Sequence, residues 1–165
     1  MLDQFFLDFY KKEKNNIKEV LDVGTGKGTY ALFLSSNGAN VEAIDIVDSS
    51  EIFINSSGIK FTQETILTYA IKKNYFDLII TRSVLHYLKP DEVQKIAFRI
   101  MSGLKNGAFL YIETMTPSHE DRYLHLPLDL VNMFNGLYLR EKVEEVREIE
   151  KGKNHFYWHL IFVKR

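Results

Sequence analysis

Apolar residues are spaced along this chain in two alternating periods. Short segments, Val20-Leu21-Asp22-Val23, Val41 to Asp45, Ile59 to Gln63, Phe76 to Thr81 and Ala108 to Thr114, read as strands, and Phe76 to Thr81 is a run of the kind buried at the centre of a parallel sheet. Between them the apolar positions recur at helical spacing. Thr29 to Ser36 reads as a helix ended by Asn37-Gly38. Pro90 opens another, carrying Val93, Ile96, Ala97, Ile100, Met101 and Leu104, and Lys105-Asn106-Gly107 is expected to close it. Asp48-Ser49-Ser50-Glu51 reads as the cap of a short helix, and Asn55-Ser56-Ser57-Gly58 as a turn. Before the first strand, Phe5, Phe6, Phe9 and Tyr10 form an aromatic stripe on a short amphipathic helix. After the fifth strand the pattern changes: Met115 to Leu126 is a polar loop, Pro127 to Phe134 a short helix, and Leu139 to Glu150 and His155 to Val163 flank Lys151-Gly152-Lys153-Asn154 as a terminal hairpin. Alternating strands and helices followed by an antiparallel pair predict a single α/β domain with a doubly wound, mostly parallel seven-stranded sheet. Its expected parts are an N-terminal helix (1–16), a core (17–115) and a loop, short helix and hairpin (116–165).

The chemistry concentrates where the first strand stops. Asp22-Val23-Gly24-Thr25-Gly26-Lys27-Gly28 sets three glycines at alternate positions before a helix, which lets the backbone turn sharply and brings a ligand close to free amides. Seventeen residues past Gly28, the second run ends in Asp45, a carboxylate that a βαβ unit brings beside the loop to accept from ribose hydroxyls. Together they describe an adenosine-type cofactor site. A dinucleotide fingerprint needs a third glycine where Thr29 stands, so a nicotinamide-dependent oxidoreductase is the poorer reading. In an open sheet of this kind Thr81, Arg82 and Ser83 lie at the carboxyl ends of the central strands, where ligands bind.

The acid-x-Gly-x-Gly-x-Gly string resembles motif I of the class I S-adenosylmethionine-dependent methyltransferases. Strand four and its exit, Asp77-Leu78-Ile79 through Val84-Leu85-His86-Tyr87-Leu88, resemble the fourth motif of the same family, and the resemblance spans residues 17 to 115. It implies a Rossmann-like fold and an enzyme that moves a methyl group from S-adenosylmethionine to a small-molecule nucleophile, leaving S-adenosylhomocysteine. Gly24, Gly26 and Gly28 would form the floor under the methionine and ribose. Asp22 would face the loop or, through water, the cofactor amine. Ile46 would pack on adenine, with Glu64 and Thr65, or Gln63 instead, near its exocyclic amine, and Thr81 and Ser83 at the strand-four exit. Read from the residues themselves, the aromatic stripe that includes Tyr10 is either core packing against the sheet or a flap over the methyl donor or acceptor; Arg82 is either an acceptor contact or a surface or helix-capping arginine, Glu113 and Thr114 lie nearest the acceptor's entrance, and His86 or His119 would supply a base if one is needed, His86 otherwise packing locally. The histidine-bearing last strand, His155 to Lys164, is also similar to that of the small tellurite-resistance-type methyltransferases.

Composition removes alternatives. With no cysteine among 165 residues, disulfides, thiolate metal sites and a cysteine nucleophile are excluded. A net charge of −1 and the lack of a long basic run argue against nucleic-acid and anionic-membrane partners. No apolar stretch reaches membrane-span length and the N-terminus lacks a basic signal-peptide start, so a cytosolic monomer or homodimer is expected. His119, Glu120, Asp121 and His125 sit in one polar loop, read as solvated rather than as a metal site. A non-catalytic cofactor-binding or partner subunit is the remaining alternative.

Overall fold

The computed structural model of the chain describes residues 2–115, 127–150 and 153–165. Asp3 caps the first helix, α1 (Gln4–Glu13), by accepting from the Phe6 amide at 2.7 Å; Phe6, Phe9 and Tyr10 form its buried face. There follow β1 (Glu19–Val23), α2 (Thr29–Ser36), β2 (Asn40–Asp45), a 3₁₀ turn (Ser50–Phe53) and β3 (Ile59–Gln63). Next come β4 (Phe76–Arg82), α3 (Pro90–Gly103), β5 (Leu104–Met115), α4 (Pro127–Met133), β6 (Tyr138–Glu150) and β7 (Lys153–Val163). Among the described residues no helix is long and apolar enough to cross a membrane.

The sheet runs β3-β2-β1-β4-β5-β7-β6. β1 to β5 are mutually parallel, while β7 is antiparallel to both neighbours, as the hairpin pattern predicts. Each face buries its own apolar layer. Leu21, Ile79, Leu110, Ile112 and Leu160 pack with Val93, Ile96 and Ile100 of α3, whereas Val20, Leu78, Ile80, Tyr111 and Ile161 pack with Phe6 and Phe9 of α1 and Tyr30 and Leu34 of α2. Period-two alternation along β5 thus sends Glu113 to the α1 side and Thr114 to the α3 side.

One boundary is corrected. The helix expected to close at Lys105-Asn106-Gly107 ends at Gly103, and Leu104 already pairs with Phe76. The turn residues instead make a bulge in β5, where the partner of β4 jumps from Leu104 to Phe109 while β4 advances only from Phe76 to Leu78. Gly103 is where the helix meets the sheet: a Cβ there would stand 2.5 Å from Ile71 Cγ2.

Candidate functional site

At the carboxyl end of β1, Gly24, Gly26 and Gly28 all take positive φ. The Gly24 and Thr25 amides donate to the Ile44 carbonyl at 2.8 and 3.1 Å, tying the loop to β2. At Gly24 a side chain would also meet Val84, whose Cγ2 fills the place of the missing Cβ. Asp22 lies beneath the turn, 2% exposed, and accepts from the Thr25 hydroxyl at 2.7 Å. Burial pushes its carboxyl up to about 6, against the opposing pull of the Thr25 hydrogen bond. Of the two roles expected for Asp22, the geometry supplies the one toward the loop. Asp45 Oδ2 accepts from the Gly26 amide at 2.8 Å and Oδ1 from Val47 at 2.9 Å. A carboxylate offers about four acceptor positions, so these two bonds leave it able to take hydroxyls.

A cleft of about 340 Å³ opens beside this loop. Its wall is apolar, with Val23, Ile44, Ile66, Val84 and Leu88, and its polar groups are Asp45, Glu64, Thr65 and Ser83. Ile46 and Tyr87 line it while remaining 71% and 60% exposed, so a flat apolar ligand would cover surface that water now wets. Between Gln63 and Glu64 the structure places Glu64 on the cleft, while the Gln63 amide donates to the Ile46 carbonyl at 3.1 Å. Val84, Tyr87, Leu88 and Ile66 were not singled out from the sequence. The Val84-Leu85-His86-Tyr87-Leu88 turn was the available signal, and its apolar members, rather than its histidine, form the wall.

Next to the cleft, at the ends of β4 and β5, a second group of polar residues gathers around the buried Glu113. Ser83 holds a strained φ of +54°. Its amide donates to the Glu113 carbonyl at 2.9 Å and its hydroxyl to Glu113 Oε1 at 2.8 Å. Arg82 Nε donates to Glu113 Oε2 at 3.1 Å, and the guanidinium lies 5.4 Å from the centre of the Tyr30 ring. Glu113, wholly buried, is therefore the anchor of the strand-four exit. Farther along the α1 side, Asp3, Tyr30, Tyr111, His159 and Glu145 form a continuous polar chain. One ligand atom each from Asp3, Glu113 and His159 lies within 4.8 Å of the others, a spacing a metal can use; here protein hydrogen-bond partners already engage all three.

Other expected residues stand elsewhere. Tyr10 is corrected from an acceptor contact to a core residue: it is buried, stacked on Phe6 and edge-on to Phe33, because the helical spacing of the stripe turns it toward α2. His86 is buried too, with Nδ1 accepting from the Met115 amide at 3.4 Å and its ring against Tyr87. Thr81 and Thr114 are buried, and their hydroxyls have no hydrogen-bond partner among the described residues. His119, Glu120, Asp121 and His125 lie outside the described residues, and so does the rest of the expected acceptor loop beyond Met115.

This arrangement has relatives. A phosphoethanolamine N-methyltransferase of Zea mays is 25% identical over 158 residues, covering 86% of this chain and 30% of the relative. The chain spans between about a quarter and three fifths of the length of such curated relatives. Among solved structures, a SAM-dependent methyltransferase from Methanosarcina mazei superposes with a TM-score of 0.80 at 18% identity, over 99% of this chain and 98% of that one. TehB from Haemophilus influenzae does so with a TM-score of 0.81 at 18% identity, over 99% of this chain and 63% of that one. At these identities the likeness is one of fold. The family model described as "Methyltransferase domain" matches residues 2–146, and with its glycine loop, strand-end acid and sheet order the chain belongs to that family.

Proposed function

We propose that the protein binds S-adenosylmethionine in the cleft beside the glycine loop and transfers its methyl group to a small-molecule acceptor. The observation that carries this reading is the join between Gly24 and Asp45: a backbone with no room for a side chain, latched by a strand-end carboxylate, at the mouth of an apolar cleft. The residues present fit the cofactor. Asp45 would hold the ribose hydroxyls, Ile46, Ile66 and Tyr87 the adenine faces, Glu64 its amine, and the Gly24 backbone the methionine portion. Bound there, the sulfonium supplies an activated methyl carbon whose leaving group is a neutral thioether.

The protein's own contribution is orientation and exclusion of water. Ser83, fixed by two bonds to Glu113, sets the edge between the cleft and the polar group of the α1 side. Small acceptors are favoured by the names of the relatives, which include phosphoethanolamine and ubiquinone-biosynthesis methyltransferases, and by a 1,6-didemethyltoxoflavin methyltransferase of the same fold holding S-adenosylhomocysteine.

Calorimetric titration with S-adenosylmethionine, S-adenosylhomocysteine and NADH tests the reading. Micromolar binding of the first two, weakened at least tenfold in Asp45→Ala, is expected, followed by a one-methyl mass gain on a member of an amine, phenol, thiol and oxyanion panel. Binding of NADH alone would overturn it in favour of an oxidoreductase. Cofactor binding with no methylated product would favour the non-catalytic subunit.

A further inference from the structure

One wall of the cleft is neither strand nor helix. Glu64, Thr65 and Ile66 line it, yet they belong to the irregular segment 64–75 between β3 and β4. Its start is tied to β2, where the Glu64 amide donates to the Asp45 carbonyl at 2.8 Å. A single turn follows, in which the Thr68 and Tyr69 amides donate to the Thr65 carbonyl at 3.1 and 2.9 Å. The turn does not continue, so among the described residues no backbone amide donates to the carbonyls of Ile66, Leu67 and Tyr69. Arg99 of α3 meets all three. Its Nη1 donates to Ile66 at 3.0 Å and to Leu67 at 2.7 Å, and its Nη2 donates to Tyr69.

We propose that Arg99, which does not line the cleft, is a positioning residue for its adenine edge: by gathering three stray carbonyls it fixes the backbone that presents Glu64, Thr65 and Ile66, and so sets how selectively the base is held. The word adenine rests on the methyl-transfer reading; the clamp does not. A planar guanidinium carries its donors in a fixed fork and can hold several carbonyls in one arrangement, whereas a lysine ammonium of the same charge has no such template. Packing places Arg99 itself, since its neighbours on α3, Ile96 and Ile100, share a buried layer with Ile66. The segment has other fastenings farther along. Tyr69 donates to Glu42 Oε2 at 2.6 Å and Lys72 pairs with Glu42, while the Asn74 and Tyr75 amides donate to the Ser102 and Gly103 carbonyls at 2.8 and 2.9 Å. These keep the segment on the sheet when Arg99 is changed, but none of them bonds the backbone of Ile66 or Leu67. A carboxylate at Glu64 accepts from the exocyclic amine of adenine and opposes the carbonyl oxygen that hypoxanthine carries instead, so preference between the two bases reports where Glu64 stands.

The test compares wild type with Arg99→Lys, which keeps the charge and a flexible stem. In the cofactor-free full chain, hydrogen exchange at the Thr68 and Tyr69 amides should be about tenfold faster in the variant, with the amides of β1 and β4 unchanged. Calorimetric titration then uses S-adenosylhomocysteine and S-inosylhomocysteine, the second with hypoxanthine in place of adenine. Wild type should prefer the adenine compound, and in Arg99→Lys its affinity should fall about tenfold and the preference shrink by a similar factor. Gly38→Ala, which strains a turn outside the cleft, should leave the preference intact and so separates positioning from a general loss of stability. Unchanged exchange at Thr68 and Tyr69 overturns the proposal, as does an unchanged preference in Arg99→Lys or a wild type that binds both compounds equally. A wild type that binds neither compound refutes the methyl-transfer reading instead, and the exchange result alone then decides the clamp.

Discussion

Adding one methyl group at Gly24 separates two costs that usually arrive together. Gly24→Ala forces a side chain into φ +68°, and its Cβ enters the space of Val84 Cγ2. The left-handed backbone costs roughly 1–2 kcal/mol. Overpacking against Val84, a β-branched side chain with little rotamer freedom, adds about 1–3 kcal/mol. For a chain of this size each kcal/mol lowers Tm by about 2–4 °C, so a drop of roughly 5–15 °C is expected. Gly38→Ala is the internal reference: its φ is +89° and nothing lies within 4 Å of the added carbon, so it carries only the backbone cost, about 1–2 kcal/mol. The gain from a stiffer unfolded chain, ~0.4–1 kcal/mol, is common to both and cancels in the difference. Urea titrations followed by circular dichroism measure the two free energies, and Val84→Ala placed in the Gly24→Ala background should return the excess. Equal costs for the two glycine variants, or no recovery with Val84→Ala, would refute the steric reading of the loop. S-adenosylhomocysteine affinity should fall with Gly24→Ala and stay unchanged with Gly38→Ala, because only Gly24 lines the cleft.

Two further outcomes follow from the same geometry. Asp22 is raised to about 6 in the folded protein, above the ordinary carboxyl value, so the native state binds its proton more tightly and stability falls as pH rises from about 4 to about 6. Asp22→Asn, which keeps a carbonyl for Thr25, should gain up to ~3 kcal/mol on wild type across that window in urea titrations at several pH values; a difference that does not vary with pH sinks the claim. Tyr87→Ala removes an exposed ring that lines the cleft, so S-adenosylhomocysteine should bind about tenfold more weakly while Tm moves by no more than ~1 °C, and an unchanged Kd would place the adenine elsewhere.

The parallel core was legible because its signals are local. A strand buried on both faces must read as an apolar run, and a backbone turning over a ligand needs glycine, so β1, β4, the loop and Asp45 could be read directly. Local spacing also misled. Lys105-Asn106-Gly107 has the composition of a helix stop, yet such residues equally make a bulge, and only pairing with Phe76 decides between them. Tyr10 shares its stripe with Phe6 and Phe9, and no one-dimensional pattern tells a flap from a core. The chain through Asp3, Tyr111 and His159 was out of reach for a different reason: Asp3 and Tyr111 are 108 positions apart, and His159 lies 48 beyond Tyr111, so only the completed sheet makes them neighbours.

The position of β7 between β5 and β6 bears on how the molecule is made. β6 leaves the ribosome first, but its ladder is entirely with β7, so until the later strand is synthesised it has nothing in the sheet to join. During that interval β5, an apolar strand of 12 residues, presents an unsatisfied edge. Closing it needs pairings such as Phe109 with Val163, among the slowest kinds of contact for a chain to find. Biogenesis thus has a vulnerable period set by topology, in which the nascent chain carries an open strand edge that chaperones can cover and that another nascent copy can capture.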